Sequence, residues 1–144
     1  MFASRLIRPG ALVALALLVG CGESRPGIVP IKGQVMIDGK PLTHGFIQVL
    51  PADARPASAK IGPDGRFTLS TFGEDDGCVP GTHPVTVVAT ESIDATSTKW
   101  HAPKAYADPA TTNLKVNIAP GHEEITINLS WDGGEPFVEK FAAE

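Results

Sequence analysis

Cysteine is nearly missing from this chain: Cys21 and Cys78 are the only two in 144 residues. The fold therefore does not rest on a disulfide framework, even in a compartment that would permit one. Long apolar runs are missing too. The unbroken apolar stretch at residues 11–19 is too short to cross a bilayer, which takes about 20 residues in a helix. Basic residues are sparse and unclustered, with 12 Lys and Arg against 16 Asp and Glu and a formal charge of −4 at pH 7. That balance excludes electrostatic docking on nucleic acid or on anionic lipid. No segment sustains a helical period. His-x-x-x-His, Cys-x-x-Cys and Gly-x-Ser-x-Gly spacings are all missing, so neither a metal site nor a nucleophile elbow is encoded locally.

What the chain does have is glycine and proline, 15 and 13 respectively, set at regular intervals. Seven strand candidates fall between them, over residues 32–37, 45–50, 59–61, 66–70, 84–90, 114–118 and 125–129. Asp38-Gly39 is a hairpin signal, expected to return the chain along residues 45–50. Gly62-Pro63-Asp64-Gly65 and Ala119-Pro120-Gly121-His122 are further turns, the second joining two alternating strands. The inward set is read as Val35, Ile37, Ile47, Val49, Ile61, Phe67, Leu69, Val85, Val87, Leu114, Val116, Ile125, Ile127 and Leu129. These features predict an all-β, seven-stranded antiparallel β-sandwich over residues 30–130, of a size that supports one core. Residues 91–109 read as a long, polar, irregular loop, and residues 131–144 as a tail or an edge strand.

The first 21 residues carry an address. Arg5 and Arg8 precede the apolar run with no acidic residue, and the run closes on Leu18-Val19-Gly20-Cys21. This order is that of a bacterial secretory signal over residues 1–20. A Cys directly after the small residue resembles a lipoprotein signal, in which the thiol is acylated and Cys21 becomes the new N-terminus. Residues 21–29 then form a flexible tether broken by Pro26 and Gly27. On this reading the chain is lipid-anchored through Cys21 and faces the periplasm or the cell surface. Gly22, in place of the Asp that marks inner-membrane retention in enteric bacteria, favours the outer membrane.

The order Gly33-Gln34-Val35, Asp38-Gly39-Lys40-Pro41-Leu42, Gly45-Phe46-Ile47, Pro63-Asp64-Gly65-Arg66-Phe67 and Pro80-Gly81-Thr82-His83-Pro84-Val85-Thr86-Val87 resembles carboxypeptidase regulatory-like domains. These are transthyretin-like β-sandwiches. Pro103-Lys104-Ala105-Tyr106-Ala107-Asp108-Pro109, with Thr111 to Val116, looks like the variant found among small lipoproteins of planctomycete-type bacteria. The resemblance runs from about Ile31 to Leu129, and His83 stands where the family usually has Tyr. It implies a fold, with an immunoglobulin-like or transthyretin-like arrangement behind a signal helix and tether, and no activity. Transthyretin-like hydrolases that end in Tyr-Arg-Gly-Ser are excluded as a model, because this chain ends Glu139-Lys140-Phe141-Ala142-Ala143-Glu144.

Candidate chemistry is thin. Glu74-Asp75-Asp76-Gly77 is the densest acidic cluster but lacks a 12-residue calcium frame, so solvated loop acids are the preferred reading. Cys78 and His83 lack a third group, and Cys78 reads as a small buried apolar residue. His44 and His122 fall at turns; distant loops can meet, but nothing in the spacing of His44, His83, His101 and His122 singles out a composite site. Trp100, His101 and Tyr106 form a candidate binding loop, set against a reading in which they pin the loop over the end of the sandwich. The sequence thus predicts no catalytic residue, no metal and no cofactor. It predicts a non-catalytic structural or protein-interaction module of the envelope, with carbohydrate binding as the alternative and no nucleic acid partner.

Overall fold

The computed structural model describes residues 27–142. The signal segment, Cys21 and the tether as far as Pro26 lie outside the described residues. Within them the protein is all-β, with eleven strands and a single turn of 3-10 helix, Lys104–Ala107. Among the described residues no helix is long and apolar enough to cross a membrane.

One sheet is built around β1 (Lys32–Ile37). Its one flank is β10 (Glu124–Leu129), which runs parallel to it from Lys32 opposite Glu124 to Ile37 opposite Leu129. The other flank is divided between β2 (Lys40–Pro41) and β5 (Arg66–Thr68), both antiparallel. A second sheet has the order β4 (Ala57–Lys60), β3 (Phe46–Val49), β6 (Gly81–Val88), β9 (Lys115–Ile118). A third, small sheet joins β7 (Thr90–Asp94), β8 (Ser97–Trp100) and β11 (Phe137–Lys140), with β8 in the middle.

Three expectations are corrected. The Asp38-Gly39 turn forms, with φ of 47° and 78° at its centre, as a type I′ hairpin requires. It closes only onto the two residues of β2; the longer return strand, β3, crosses to the second sheet. Likewise the 119–122 turn forms, with His122 N–H donating to the Ala119 carbonyl at 3.1 Å. Its two strands do not pair with each other: β9 joins β6 and β10 joins β1. That second crossing makes the β1–β10 pair parallel, where an all-antiparallel arrangement was expected. Finally, residues 91–109 are not one irregular loop. They hold most of a β7–β8 hairpin whose turn is tied by Asp94 Oδ1, accepting from Thr96 N–H at 2.8 Å. β11 closes the other side of β8, so the segment after the Gly133-Gly134 pair is an edge strand.

The core follows the period of two. Val35, Ile47, Val49, Leu69 and Val85 are wholly buried, with Ile61, Val87, Phe67, Ile127, Leu129 and Val116 nearly so. Ile37, Leu114 and Ile125 pack against this cluster only partly buried. Inward residues of the first two sheets form one continuous cluster, and each fully buried aliphatic side chain contributes about 1.5–3 kcal/mol. Ile31, Leu42, Ile118, Val79 and Cys78 complete the core from strand ends and loops. Val29, the last residue of the expected tether, is buried and exchanges two backbone hydrogen bonds with Cys78, at 2.9 and 3.0 Å.

Candidate functional site

Trp100, His101 and Tyr106 do not converge on one surface. Trp100 ends β8 directly opposite Phe137 of β11, and the two rings stack with centroids 6.3 Å apart. Its indole N–H donates to Glu139 Oε2 at 2.9 Å, while Lys104 Nζ reaches Glu139 Oε1 at 2.6 Å and stands 5.4 Å from the indole centroid. The hydrogen bonds from Lys104 and Trp100 hold the Glu139 carboxyl below its ordinary range. Tyr106 sits in the 3-10 turn; its hydroxyl donates to the Ser130 carbonyl and accepts from the Ser130 N–H at 3.3 and 3.2 Å. Both aromatics therefore fasten the segment after β8 to the C-terminal part of the chain, which is the loop-pinning arrangement.

His101 follows β8 and has other partners. Its Nε2 lies 2.8 Å from Glu91 Oε2, and its ring meets His44 edge to face with centroids 4.5 Å apart. Two loops distant in sequence thus bring two imidazoles together. His44 Nε2 is buried and has no hydrogen-bond partner. Burial, followed by the neighbouring His101, lowers the His44 pKa; Glu91 opposes the shift. Even so, among the described residues no group of three or more His, Cys, Asp or Glu could hold a metal ion.

The geometry gives a pH dependence of stability. His44 is released to water on unfolding and regains its ordinary pKa of 6.5, so below that pH the unfolded chain binds more protons than the folded one. The stabilisation is fully present above pH 6.5 and is lost as pH falls toward the lower folded value. The titratable groups that act on His44 are His101 and Glu91; Asp38 and Lys40 line one hollow with it, and Lys32, Lys60, Arg66 and Asp75 line a second. Urea midpoints followed from pH 7.5 to 5.5 are expected to fall in the native chain and to fall less in His44→Asn. Equal slopes in the two proteins would show that His44 does not carry the effect.

Cys78 and His83 are not a dyad. His83 Nε2 sits 3.0 and 3.2 Å from the Val79 and Pro80 carbonyls. The Cys78 thiol is fully buried and free, and burial pushes its pKa up to about 11. Asp76 of the acidic loop is equally committed. Asp76 accepts from the N–H groups of Thr71, Phe72 and Gly73 at 2.7, 3.0 and 2.8 Å. Burial raises its pKa, but these bonds outweigh that and leave the carboxyl below its usual value. It folds its own loop.

The largest concavity found among the described residues was not a sequence candidate. β4 and β5 face each other across a groove of about 990 Å³, bridged at one end by paired Ser58 and Ser70 and at the other by Gly62 N–H to the Arg66 carbonyl. Phe46, at its lip, is 61% exposed. One signal could have found it: with Ile47 and Val49 inward, the period of two turns Phe46 outward. Neither a family model, nor a curated protein, nor a solved structure matches the chain.

Proposed function

We propose that the protein is a lipoprotein held in the cell envelope by acylated Cys21 and carrying a transthyretin-like β-sandwich of the carboxypeptidase regulatory-like kind. The domain acts there as a non-catalytic structural or interaction module. The observation that carries the anchoring is the order of residues 1–21: two arginines, an apolar run, Gly20, then Cys21. Val29 is already packed in the core, and eight chain steps separate it from Cys21. Fully extended, they hold the domain within roughly 28 Å of the anchor. The module works beside the membrane surface, with the outer membrane the favoured one.

Protein contact is supported by the small sheet and the residue that follows it, which leave Ile93, Val138 and Phe141 about half exposed at 52, 50 and 53%. The non-catalytic reading is supported by the commitments of Cys78, His83 and Asp76 to packing and loop bonds. Carbohydrate binding stands as a second reading because Phe46 presents an exposed ring at the lip of the largest groove. Trp100, the earlier candidate for that role, is held by Phe137, Glu139 and Lys104.

Cys21→Ser removes the acylation site and leaves the domain untouched. It is expected to move the protein from the detergent phase to the aqueous phase on Triton X-114 partitioning, with loss of the acyl mass on the N-terminal peptide. Full retention of Cys21→Ser in the membrane fraction would overturn the anchor. In-cell crosslinking of the native chain then tests the interaction role: recovery of a recurrent partner crosslinked through β7 or β11 is the expected result.

A further inference from the structure

We propose that the groove between β4 and β5 binds a carboxylate-bearing polysaccharide, with one sugar ring seated on Phe46. The argument begins with charge. The chain is acidic overall, at −4, yet the groove is lined by Lys32, Lys60 and Arg66, with Asp75 its one acidic lining residue. Arg66 is shared with Asp64 at 4.0 Å and Glu124 at 3.3 Å. Among the described residues Lys32 and Lys60 have no ion-pair partner, and both are exposed. Two separated, unneutralised ammonium groups in an acidic protein form a local attraction for an anionic chain. They match a polymer with one charge per sugar better than a densely sulfated one.

Stacking and hydrogen bonding complete the fit. Phe46 stands on the outer face of β3, opposite Lys60 on β4 and Val88 on β6, and its ring is open to solvent. An exposed flat ring offers its negative face to the C–H groups of a pyranose. The Ser58 and Thr68 side chains supply hydroxyls along the wall. Phe46 and Ser58 also line a second depression of about 250 Å³, which passes Gln48 and reaches Ala107 and Pro109. The two hollows share Phe46 and Ser58, so a bound chain can run from one into the other.

An acidic peptide added as a further strand fits poorly here. Strand addition needs a free edge, and the edges of β4 and β5 that face each other are closed by the Ser58–Ser70 pair and the Gly62–Arg66 bond. A polysaccharide brings its own hydroxyls and carboxylates and needs no backbone ladder.

The inference rests on the binding-module reading and is independent of the anchor. Its test is native affinity electrophoresis of the full chain in detergent, in gels containing polygalacturonate, fully methyl-esterified pectin, dextran sulfate or poly-L-glutamate. Retardation by polygalacturonate is expected, weakened at least roughly tenfold by Phe46→Ala, the scale of a central stacking contact. Lys60→Gln is expected to weaken it about threefold and to flatten its salt dependence. Both side chains are exposed, so unchanged melting temperatures confirm intact folding. Equal retardation by dextran sulfate or poly-L-glutamate, or Phe46→Ala behaving as the native chain, would overturn the proposal. Retardation by the esterified polymer through Phe46 would end the anionic assignment and leave the binding module standing. No retardation by any polymer would end the groove proposal and return the module to protein contacts.

Discussion

Gly77→Ala is expected to destabilise the domain by roughly 3–4 kcal/mol, from backbone strain together with the hydrogen bonds it disturbs. Gly77 has φ +107°, and a Cβ there would lie 1.9 Å from the Val29 carbonyl oxygen. The obstacle is backbone, so no side-chain rotation relieves it. Relief would require Val29 to move, which breaks its two bonds with Cys78 and disturbs Gly77 N–H to Leu69 and Thr71 Oγ1 to the Gly77 carbonyl. A domain is stable by only about 5–15 kcal/mol, so one methyl group removes a large share. Thermal unfolding by circular dichroism should show a Tm lower by roughly 10–20 °C. Gly39→Ala is the internal comparison. It also has positive φ, at 78°, but open space around the absent Cβ, so it carries only the left-handed cost of about 1–2 kcal/mol. Equal effects at the two positions would mean that the close approach of Gly77 to Val29 is not what holds the N-terminal end of the domain.

This corner also shows what the sequence could not carry. Val29 looks like tether because it sits between Gly27 and Pro30, and its partner is 49 residues away. Alternation revealed most of the core, since Ile47 and Val49 or Ile127 and Leu129 read as inward from their own strands. The turns at Asp38-Gly39, 62–65 and 119–122 were legible because each needs particular residues. What each turn joins was not. A turn fixes the reversal of the chain, whereas the choice between pairing back and crossing to another sheet depends on which apolar face is left to cover. Ile118 and Leu129 face one cluster from different sheets, and no local pattern separates that from a hairpin.

The β7–β8 hairpin was hidden for another reason. Glu91, Ser92, Asp94, Ser97, Thr98 and Lys99 are polar on both faces, so the period of two has nothing to modulate. Its turn, Asp94-Ala95-Thr96, uses a side-chain cap in place of Gly or Pro. The same concealment applies to the sites. His44 meets His101 only because two loops come together, and the groove at Phe46 exists only because β4 and β5 belong to different sheets. The anchor proposed from residues 1–21 rests on their order alone, since they lie outside the described residues.

Trp100→Ala is expected to lower stability by about 2 kcal/mol through lost ring packing, with Tm falling by roughly 5–10 °C. The indole is the joint of a small assembly: Phe137 stacks on it, Trp131 meets Phe137 edge to face at 6.4 Å, and Glu139 and Lys104 close around it. Without it, β11 and the 3-10 turn lose their common attachment, so hydrogen exchange should quicken at Phe137–Lys140 and Lys104–Ala107. It should change little in β1, β3 and β6, which the main core holds. Trp100→Phe keeps an aromatic partner for Phe137 but loses the N–H to Glu139, and should recover most of the Tm. If the indole were instead a ligand platform, Trp100→Ala would leave Tm and exchange unchanged and abolish retention of polysaccharide. The two patterns are opposite in both readouts. The stacking on Phe137 and the doubly bonded Glu139 favour the first, because a ring already engaged at its N–H and against a neighbouring ring has little left to offer a sugar.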